Sequence, residues 1–418
     1  MKVLFLFCDM LRAERFSLFN DGIKQKSDLD LYFESFGGTV YKNAFSHIPR
    51  TGTSMGMLLS GLLPKNNGCD HYLKYPENFL NDSIENIDSI LKRNNYETFY
   101  QTDIRGKAWG VIPSYFKNTN IVDYKDNKHL DAIKLFKNKL ENENVFGLFT
   151  FDDYHTAYDD HGMSKEAKDI GEKHVISSLN MFFNEIDKNE FDYIYIFSDH
   201  GNKDSWGEWD KLVNNRLNIL DNDRSQIVLF VHKKGDNSLD INDSPKEIID
   251  LLPSLCENIG DKNDYKFDGI SIFENDNDRI ITFEDTIAVS ETERFTIWAA
   301  RNKNYLLLTD VYNTNFYKLD GSNKTILDPH SDIASKIKTL FFNKLEESTS
   351  NFKEHRFEVE YGKVYLEPTK LYYTFSDGTE RAKFNKTTIK RIIKNLSIKK
   401  ILKYTINFKF YYNLYFKK

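Results

Sequence analysis

The sequence predicts an α/β fold in which a mostly parallel central sheet is flanked by helices, followed by a small C-terminal antiparallel α+β subdomain. Apolar runs alternate with amphipathic segments along the first 280 residues, and apolar strands of this kind are typical of a parallel sheet covered on both faces. Beyond about residue 280 the strands follow one another directly, as in hairpins. The 418 residues are 40% hydrophobic, which gives ample material for a core and excludes a disordered chain.

The strands of the main sheet are predicted from runs rich in β-branched and aromatic residues: KVLFLFC, ETFYQTD, VFGLFTF, YIYIFSD and QIVLFVH. Helical patterns lie between them: NDSIENIDSILKRNN, SKEAKDIGEKHVISSLNMFFNEID and SPKEIIDLLPSLCENIG. The later strands are RFTIWAAR, NYLLLTD and NFYKL, followed by the helix SDIASKIKTLFFNKLEES. We therefore predict a main domain over 1–280, a small subdomain of the same fold over 281–350 and an extension over 351–418.

Acidic residues follow two of the predicted parallel strands. Asp9 ends FLFCD, and Asp199 with His200 ends YIFSDHG. Because ligands bind at the carboxyl ends of strands in such sheets, we expect these side chains to meet. Carboxylate and imidazole groups are ligands for divalent cations, and the sequence therefore predicts a cation site there.

The stretch HIPRTGTSMGMLLSG, residues 47–61, places three hydroxyls before an apolar, helix-like run. Thr51, Thr53 and Ser54 could cap that helix, since Ser and Thr accept hydrogen bonds from the first helical turn. One of them could instead be a nucleophile activated by the neighbouring cation, with the helix N-terminus holding a tetrahedral oxyanion. Lys107 could add positive charge for the substrate oxygens, and His155 could protonate the leaving oxygen.

The ordered set of motifs resembles the sulfatase and alkaline phosphatase superfamily. VLFLFCDMLRAERF resembles its opening strand, and FGGTVYKNAFSHIPRTGTSMGMLLSGLLPKNNG resembles its nucleophile segment. LKRNNYETFYQTDIRGKAWG, FTFDDYHTAYD and IYIFSDHG resemble the segments that carry a substrate-contacting Lys, an active-site His and the second metal-binding pair. Closing strand, helix and subdomain motifs follow, so the resemblance covers roughly the first 340 residues.

The resemblance implies an alkaline-phosphatase-like fold and a metal-dependent enzyme. Counting back from LLSG to the family's nucleophile position gives Thr51, with Thr53 and Ser54 left for capping or lining the pocket. The implied metal ligands are Asp9, Thr51, Asp199 and His200, and the implied catalytic residues are Thr51, His155 and Lys107. His47 and Arg50 flank the nucleophile as candidate substrate contacts.

Two departures from the family pattern bear on the reaction. Sulfatases carry a Cys or Ser within Cys/Ser-x-Pro-x-Arg, whereas this chain reads TGTSM. Arylsulfatases carry paired acids after the first strand, whereas Asp9 is followed by Met10. Both departures favour a phosphoester hydrolase or phosphotransferase similar to the phosphoethanolamine and phosphoglycerol transferases. A sulfuric ester hydrolase with an unmodified nucleophile and a catalytically inactive binding protein are the alternatives.

We expect one divalent cation, Zn, Mn, Mg or Ca, and a phosphorylated or sulfated small molecule or glycan as the substrate. A two-metal site would need a further set of ligands, of which Asp152, Asp153, His155 and His161 could supply part. The sequence shows no convincing third histidine for that set, because His232 lies within a predicted strand and His330 in the distal subdomain.

The charge distribution predicts where the protein acts. From Arg381 to Lys418 no acidic residue occurs while Lys and Arg recur, although the whole chain has a net charge of -6. This tail is either a terminal element with a basic solvated face or an attachment to an anionic membrane surface. An acidic body would repel nucleic acid, so none is expected. Three scattered cysteines and a first apolar run too short for a signal peptide lead us to expect a cytoplasmic protein.

Overall fold

The computed structural model describes residues 1–70, 79–122, 128–162, 164–203, 216–288, 294–321, 323–328, 331–353, 363–367 and 370–374. Contacts divide the chain into two compact units. The first comprises 1–310 and 314–350, and the second comprises 311–313 and 351–418. The predicted domain boundaries, near residues 280 and 350, stay predictions.

The first unit is built on an eight-stranded sheet in the order β5-β4-β6-β1-β7-β8-β2-β9. Parallel pairing joins β1 to β6 and β7, β4 to β5 and β6, and β2 to β9, whereas β8 is antiparallel to both of its neighbours. The sheet is thus mostly parallel, which confirms the predicted fold class. The short strands β3 and β10 pair separately. The bounds are β1 Lys2–Cys8, β2 Gly38–Tyr41, β3 Ala44–Phe45, β4 Glu97–Asp103, β5 Thr119–Val122, β6 Val145–Phe151, β7 Tyr193–Phe197, β8 Leu229–Lys233, β9 Leu239–Asn242 and β10 Lys246–Glu247.

The central strand β1 is apolar because both of its faces are buried. Val3, Phe5 and Phe7 point into one hydrophobic core, while Leu4 and Leu6 point into the other. Phe5 packs among the aromatic rings of neighbouring strands, with ring centroids 4.7 to 5.6 Å apart. Successive side chains of a strand alternate between faces, so one short apolar run supplies both cores. This packing fixes the end of β1 and therefore the position of Asp9, the residue that follows it.

Helices cover both faces of this sheet. Their bounds are α1 Asp28–Phe36, α2 Thr51–Ser60, α3 Pro64–Asn67, α4 Ile87–Arg93, α5 Ile104–Ala108, α6 Lys128–Lys139, α7 Asp153–His161, α8 Lys165–Glu185, α9 Asn222–Ser225 and α10 Leu251–Ile259. Helix α2 ends at Gly61, whose left-handed φ of 65° is the conformation in which glycine commonly terminates helices. Helix α4 starts six residues later than the sequence pattern suggests, because Asn86 and Ser89 form a capping box.

An antiparallel sheet with the strand order β11-β12-β13-β14-β15 completes the first unit. Its strands are β11 Ile281–Ala288, β12 Arg294–Arg301, β13 Tyr305–Thr309, β14 Thr314–Asp320 and β15 Asn323–Ile326, and helix α11 spans Asp332–Ser348. Phe283 of β11 packs on Phe45 of β3 with ring centroids 5.5 Å apart. The predicted antiparallel α+β region is therefore present, and its sheet shares a hydrophobic core with Phe45 of β3 and with Leu217, Ile219 and Leu220.

The second unit contains an antiparallel pair of strands, β16 Lys363–Glu367 and β17 Lys370–Thr374. The basic tail from Arg381 onward lies outside the described residues. Among the helices that the structure describes, none is long and apolar enough to cross a membrane.

Candidate active site

The strand order places three acidic residues at one edge of the main sheet. Strands β6, β1 and β7 are adjacent and parallel. Asp152, Asp9 and Asp199 each follow the carboxyl end of one of these strands, directly or within two residues. All three carboxylates are buried. The meeting expected for Asp9 and Asp199 is therefore present, and Asp152 joins them.

Asp9 lies at the centre of this group. One carboxylate oxygen, Oδ1, accepts a hydrogen bond from Thr51 Oγ1 at 3.3 Å. The other, Oδ2, accepts one from His155 Nδ1 at 2.8 Å. Burial by itself would raise the pKa of Asp9, but the hydrogen bond from His155 and the charges of His155 and His200 lower it below its usual range. Asp9 is consequently an ionised carboxylate that orients a hydroxyl and an imidazole at once.

Asp199 and His200 complete the second side of the group. Asp199 Oδ1 accepts hydrogen bonds from the backbone N–H groups of Met10 at 3.0 Å and His200 at 2.9 Å. Asp199 Oδ2 is buried 3.2 Å from His200 Nε2, and no described residue completes a hydrogen bond to it. His200 Nδ1 donates to the carbonyl of Gly201 at 2.6 Å, so its Nε2 is left with a lone pair. That lone pair lies 3.3 Å from Thr51 Oγ1.

The hydroxyls of the 51–54 segment have different partners. Thr51 is the first residue of α2, and the N-cap position belongs to Arg50, whose side chain caps nothing. Thr53 Oγ1 donates to the Arg50 carbonyl at 2.8 Å, and Ser54 Oγ donates to the Ile48 carbonyl at 2.9 Å. Thr53 and Ser54 therefore hold the backbone that leads into α2. Among these three hydroxyls, the one hydrogen-bonded to an acidic side chain is that of Thr51.

The residues of this group fit a divalent cation. Ligand atoms of Asp9, Asp199 and His200 all lie within 4.8 Å of one another. Burial and the nearby charge of Asp9 raise the pKa of Asp199 well above its usual range, and burial lowers the pKa of His200 to about 4. The buried Asp199 carboxylate has an oxygen, Oδ2, with no hydrogen-bond donor among the described residues. Together with the ionised carboxylate of Asp9 and the neutral imidazole of His200, it forms the oxygen and nitrogen donor set of a divalent metal site.

A second set of possible ligands, Asp9, Asp152 and His155, shares the Asp9 carboxylate. Burial and the charge of Asp9 raise the pKa of Asp152 to about 9. The Arg105 guanidinium pairs with Asp152 and also lies 2.8 Å from Asp159. Arg105 therefore supplies positive charge to Asp152. The expectation of a single cation stays a prediction.

Asp9, Thr51, Asp152, His155 and His200 line a cavity of about 400 Å³, whereas Asp199 is absent from the described lining. Arg50, Arg105 and Arg224 contribute cationic side chains to its wall, and Trp109 contributes an aromatic one. The Trp109 side chain is 54% exposed at the surface. The cavity thus combines acidic ligands for a cation with arginines suited to an anionic substrate.

Five of the predicted site residues, Asp9, Thr51, His155, Asp199 and His200, lie together. Arg50 also lines the cavity, whereas Lys107 is exposed on α5 and is absent from the described lining. His47 is fully buried, with Nδ1 3.3 Å from Thr282 Oγ1, and burial lowers its pKa to about 4. These placements give Lys107 and His47 no contact with the cavity among the described residues.

Two cavity residues, Arg105 and Arg224, escaped the sequence analysis. Arg105 lies two positions before Lys107, and the phase of the short helix α5 decides which of the two faces the cavity. A helix of five residues, Ile104–Ala108, leaves too short a pattern to reveal that phase. Arg224 lies within a stretch of mixed polar residues, NDRSQ, that carries no recognisable signal.

Comparison with known proteins agrees with this architecture. The sulfatase family model matches residues 2–257. No curated protein matches the chain by sequence.

Several solved structures share the fold. A 2-O GAG sulfatase has a TM-score of 0.60 at 13% identity, over 84% of this chain and 93% of that chain. A phosphonate monoester hydrolase from Silicibacter pomeroyi has a TM-score of 0.59 at 12% identity, over 90% and 99%. A protein in the alkaline phosphatase superfamily from Vibrio parahaemolyticus has a TM-score of 0.56 at 16% identity, over 84% and 88%.

Substitution of a ligand tests the cation site. Asp199→Asn should weaken the binding of Mn²⁺ or Zn²⁺ by about 100-fold or more, since even partners outside the ligand shell contribute about 10- to 100-fold. Isothermal titration and metal analysis of the purified protein measure this, with a wild-type stoichiometry of one ion. Asp159→Asn is the matched control, because Asp159 lines the same cavity but belongs to neither ligand set. Equal affinities in wild type and Asp199→Asn would contradict the site.

Proposed function

Since the chain belongs to the sulfatase family, we propose that it is a metal-dependent phosphoester hydrolase or phosphotransferase with Thr51 as its nucleophile. The observation that carries the proposal is the position of the Thr51 hydroxyl, 3.3 Å from both Asp9 Oδ1 and His200 Nε2 at the start of α2. This is where the resemblance to the superfamily places the nucleophile. A threonine there lacks the Cys or Ser that a sulfatase of the family modifies, which supports phosphoryl rather than sulfuryl chemistry.

The side chains around Thr51 supply the steps of a phosphoryl transfer. A divalent cation held by Asp9, Asp199 and His200 would supply Lewis acidity that lowers the pKa of a neighbouring hydroxyl. Thr51 Oγ1 forms a bond to phosphorus while the bond from phosphorus to the leaving oxygen breaks. Asp9 Oδ1 accepts the hydrogen bond of Thr51 and is positioned to take its proton. Water or an acceptor hydroxyl then displaces Thr51 from the phosphothreonine.

We infer that His155 protonates the leaving oxygen. Its Nδ1 is held by Asp9 Oδ2 at 2.8 Å, so the ring presents Nε2 on the opposite edge, 3.8 Å from Asp159 Oδ1. Both His155 and Asp159 line the cavity. A histidine that is oriented through one nitrogen and open at the other has the geometry of a general acid.

A sulfuric ester hydrolase is the second candidate function. The family match and the fold shared with a 2-O GAG sulfatase favour it. Parallel assays with aryl phosphate and aryl sulfate esters separate the two candidates, since we expect the phosphate ester to be the better substrate.

The substrate and the place of action form a further part of the proposal. We propose a phosphorylated small molecule or glycan, on the cytoplasmic side, with the basic tail attaching the enzyme to an anionic membrane surface. Twelve Lys and Arg and no acidic residue occupy 381–418. Cys8, Cys69 and Cys256 are free and buried, which is in keeping with a reducing compartment. Lipid-linked surface glycans would be within reach of such an enzyme.

Removal of the nucleophile should abolish turnover. Thr51→Ala should reduce hydrolysis of an aryl phosphate to the background rate, because the attacking oxygen is lost. Thr51→Ser is the matched control and should retain activity, since it keeps the hydroxyl. Mass spectrometry of the wild-type protein after incubation with donor should find a phosphoryl group on Thr51. An active Thr51→Ala enzyme would end this assignment.

Substitution of His155 should affect substrates according to their leaving group. His155→Asn should lower kcat for an alkyl phosphate by about 10²- to 10⁴-fold, the usual contribution of general acid catalysis. An aryl phosphate with an acidic phenol as leaving group needs little protonation and should be affected far less. Steady-state kinetics with the two substrates measure the difference. Equal losses on both substrates would remove the general-acid role.

Charge in the tail should control membrane binding. Each Lys or Arg near an anionic surface contributes about 1 kcal/mol, so three Lys→Gln substitutions should weaken binding to phosphatidylserine vesicles by about 100-fold. The substituted residues are Lys399, Lys400 and Lys403. The matched control replaces three exposed lysines on helices of the first unit, Lys134, Lys137 and Lys173. Vesicle co-sedimentation at two salt concentrations measures the effect, and equal binding to neutral phosphatidylcholine vesicles would contradict the proposal.

A further inference from the structure

Two arginines from separate parts of the chain line the cavity beside Thr51. Arg50 immediately precedes the nucleophile, and Arg224 lies in the short helix α9. The Arg224 side chain is almost completely buried, whereas Arg50 is half-buried. Both contribute to the cavity lining that includes Thr51 and His200.

One carboxylate from the antiparallel sheet holds both guanidinium groups. Asp285 lies in β11 and is 2% exposed. Its Oδ1 and Oδ2 accept hydrogen bonds from Arg50 Nε at 3.2 Å and Nη2 at 3.4 Å. Its Oδ2 also accepts a hydrogen bond from Arg224 Nη2 at 2.5 Å. Through this carboxylate the antiparallel sheet contacts two residues that line the cavity.

The charges of these groups act on one another. Arg50 and Arg224 share the Asp285 carboxylate, and Asp223 is a further acidic neighbour of Arg224. Burial lowers the pKa of Arg224 to about 10, and the charge of Asp285 opposes that effect. Arg50 and Arg224 therefore place two positive charges in the cavity lining that also contains Thr51 and His200.

Asp285 is required for this arrangement on physical grounds. Two guanidiniums brought together away from bulk water repel each other and lose hydration, and a shared carboxylate compensates for both effects. Guanidiniums also present paired donors that match the oxygens of a phosphoryl group.

We propose, building on the phosphoryl chemistry proposed above, that Arg50 and Arg224 bind the non-bridging oxygens of the substrate's phosphoryl group and that Asp285 is the residue that positions them. The C-terminal sheet thus has a part in substrate binding, through a side chain that does not itself touch the substrate.

Inorganic phosphate is the probe, because its binding requires no turnover. Isothermal titration of the full-length protein, with and without Mn²⁺, should show phosphate binding that weakens by about 10- to 100-fold in Arg224→Gln. Arg50→Gln should also weaken phosphate binding. Because Arg50 is only half-buried, this variant should fold even if the Arg224 variant does not. The matched control is Arg216→Gln. Arg216 pairs with Asp310 through a 2.6 Å hydrogen bond but does not line the cavity among the described residues.

The direction in which Asp285→Asn changes the phosphate affinity is the decisive result. If Asp285 acted only as a nearby negative charge, its removal would strengthen phosphate binding. A positioning role predicts weaker binding, by about tenfold, together with a raised KM for an aryl phosphate. Asp310→Asn, the control at the second arginine–aspartate pair, should leave phosphate affinity unchanged even where it lowers the unfolding temperature.

The results separate this assignment from the proposed function. If phosphate binding depends on Arg50 and Arg224 but no phosphate ester is hydrolysed, the phosphate-binding role of the two arginines is supported and the proposed enzymatic function is contradicted. Absence of phosphate binding in the wild type, unchanged affinity in Arg224→Gln and Arg50→Gln, or tighter binding in Asp285→Asn would overturn the assignment.

Discussion

The structure of the site depends on the Asp9 carboxylate. Its two oxygens are hydrogen-bonded in opposite directions, one by the Thr51 hydroxyl and the other by the His155 imidazole. This position exists because β1 is the central strand between β6 and β7, with apolar side chains on both faces. The two hydrophobic cores on the faces of the main sheet therefore determine where the ionised Asp9 carboxylate lies. That carboxylate in turn orients the groups proposed to attack and to protonate.

Negative charge at this edge of the sheet requires compensation, and the chain provides it in different ways on each side. Arg105 pairs with Asp152 on the β6 side. On the β7 side Asp199 has a buried oxygen without a hydrogen-bond donor among the described residues, which is the feature of the site that fits a cation. Beside Thr51 two arginines that line the cavity, Arg50 and Arg224, share the carboxylate of Asp285. The cavity is thus arranged with a cation site next to a wall suited to an anion.

Much of the fold could be predicted from the sequence, because apolar strands that alternate with amphipathic helices leave few topologies. The acids after β1 and β7 were predictable for the same reason, since parallel strands bring their carboxyl ends to one edge. Other features depend on contacts that leave no local pattern. The side of α5 that faces the cavity, which favours Arg105 over Lys107, is set by only five helical residues. Arg224 and Asp285 are 61 positions apart in the sequence, one in the short helix α9 and the other in β11. The burial of His47 likewise follows from packing against β11, through its carbonyl and Thr282.

The most direct test of the account is a crystal structure of the protein grown with Mn²⁺, with the anomalous signal of the metal used to locate it. The account predicts one strong anomalous peak, bounded by Asp9, Asp199 and His200, with Thr51 Oγ1 at coordination distance. A peak at another position, or a Thr51 hydroxyl turned away from a metal bound at these residues, would contradict it.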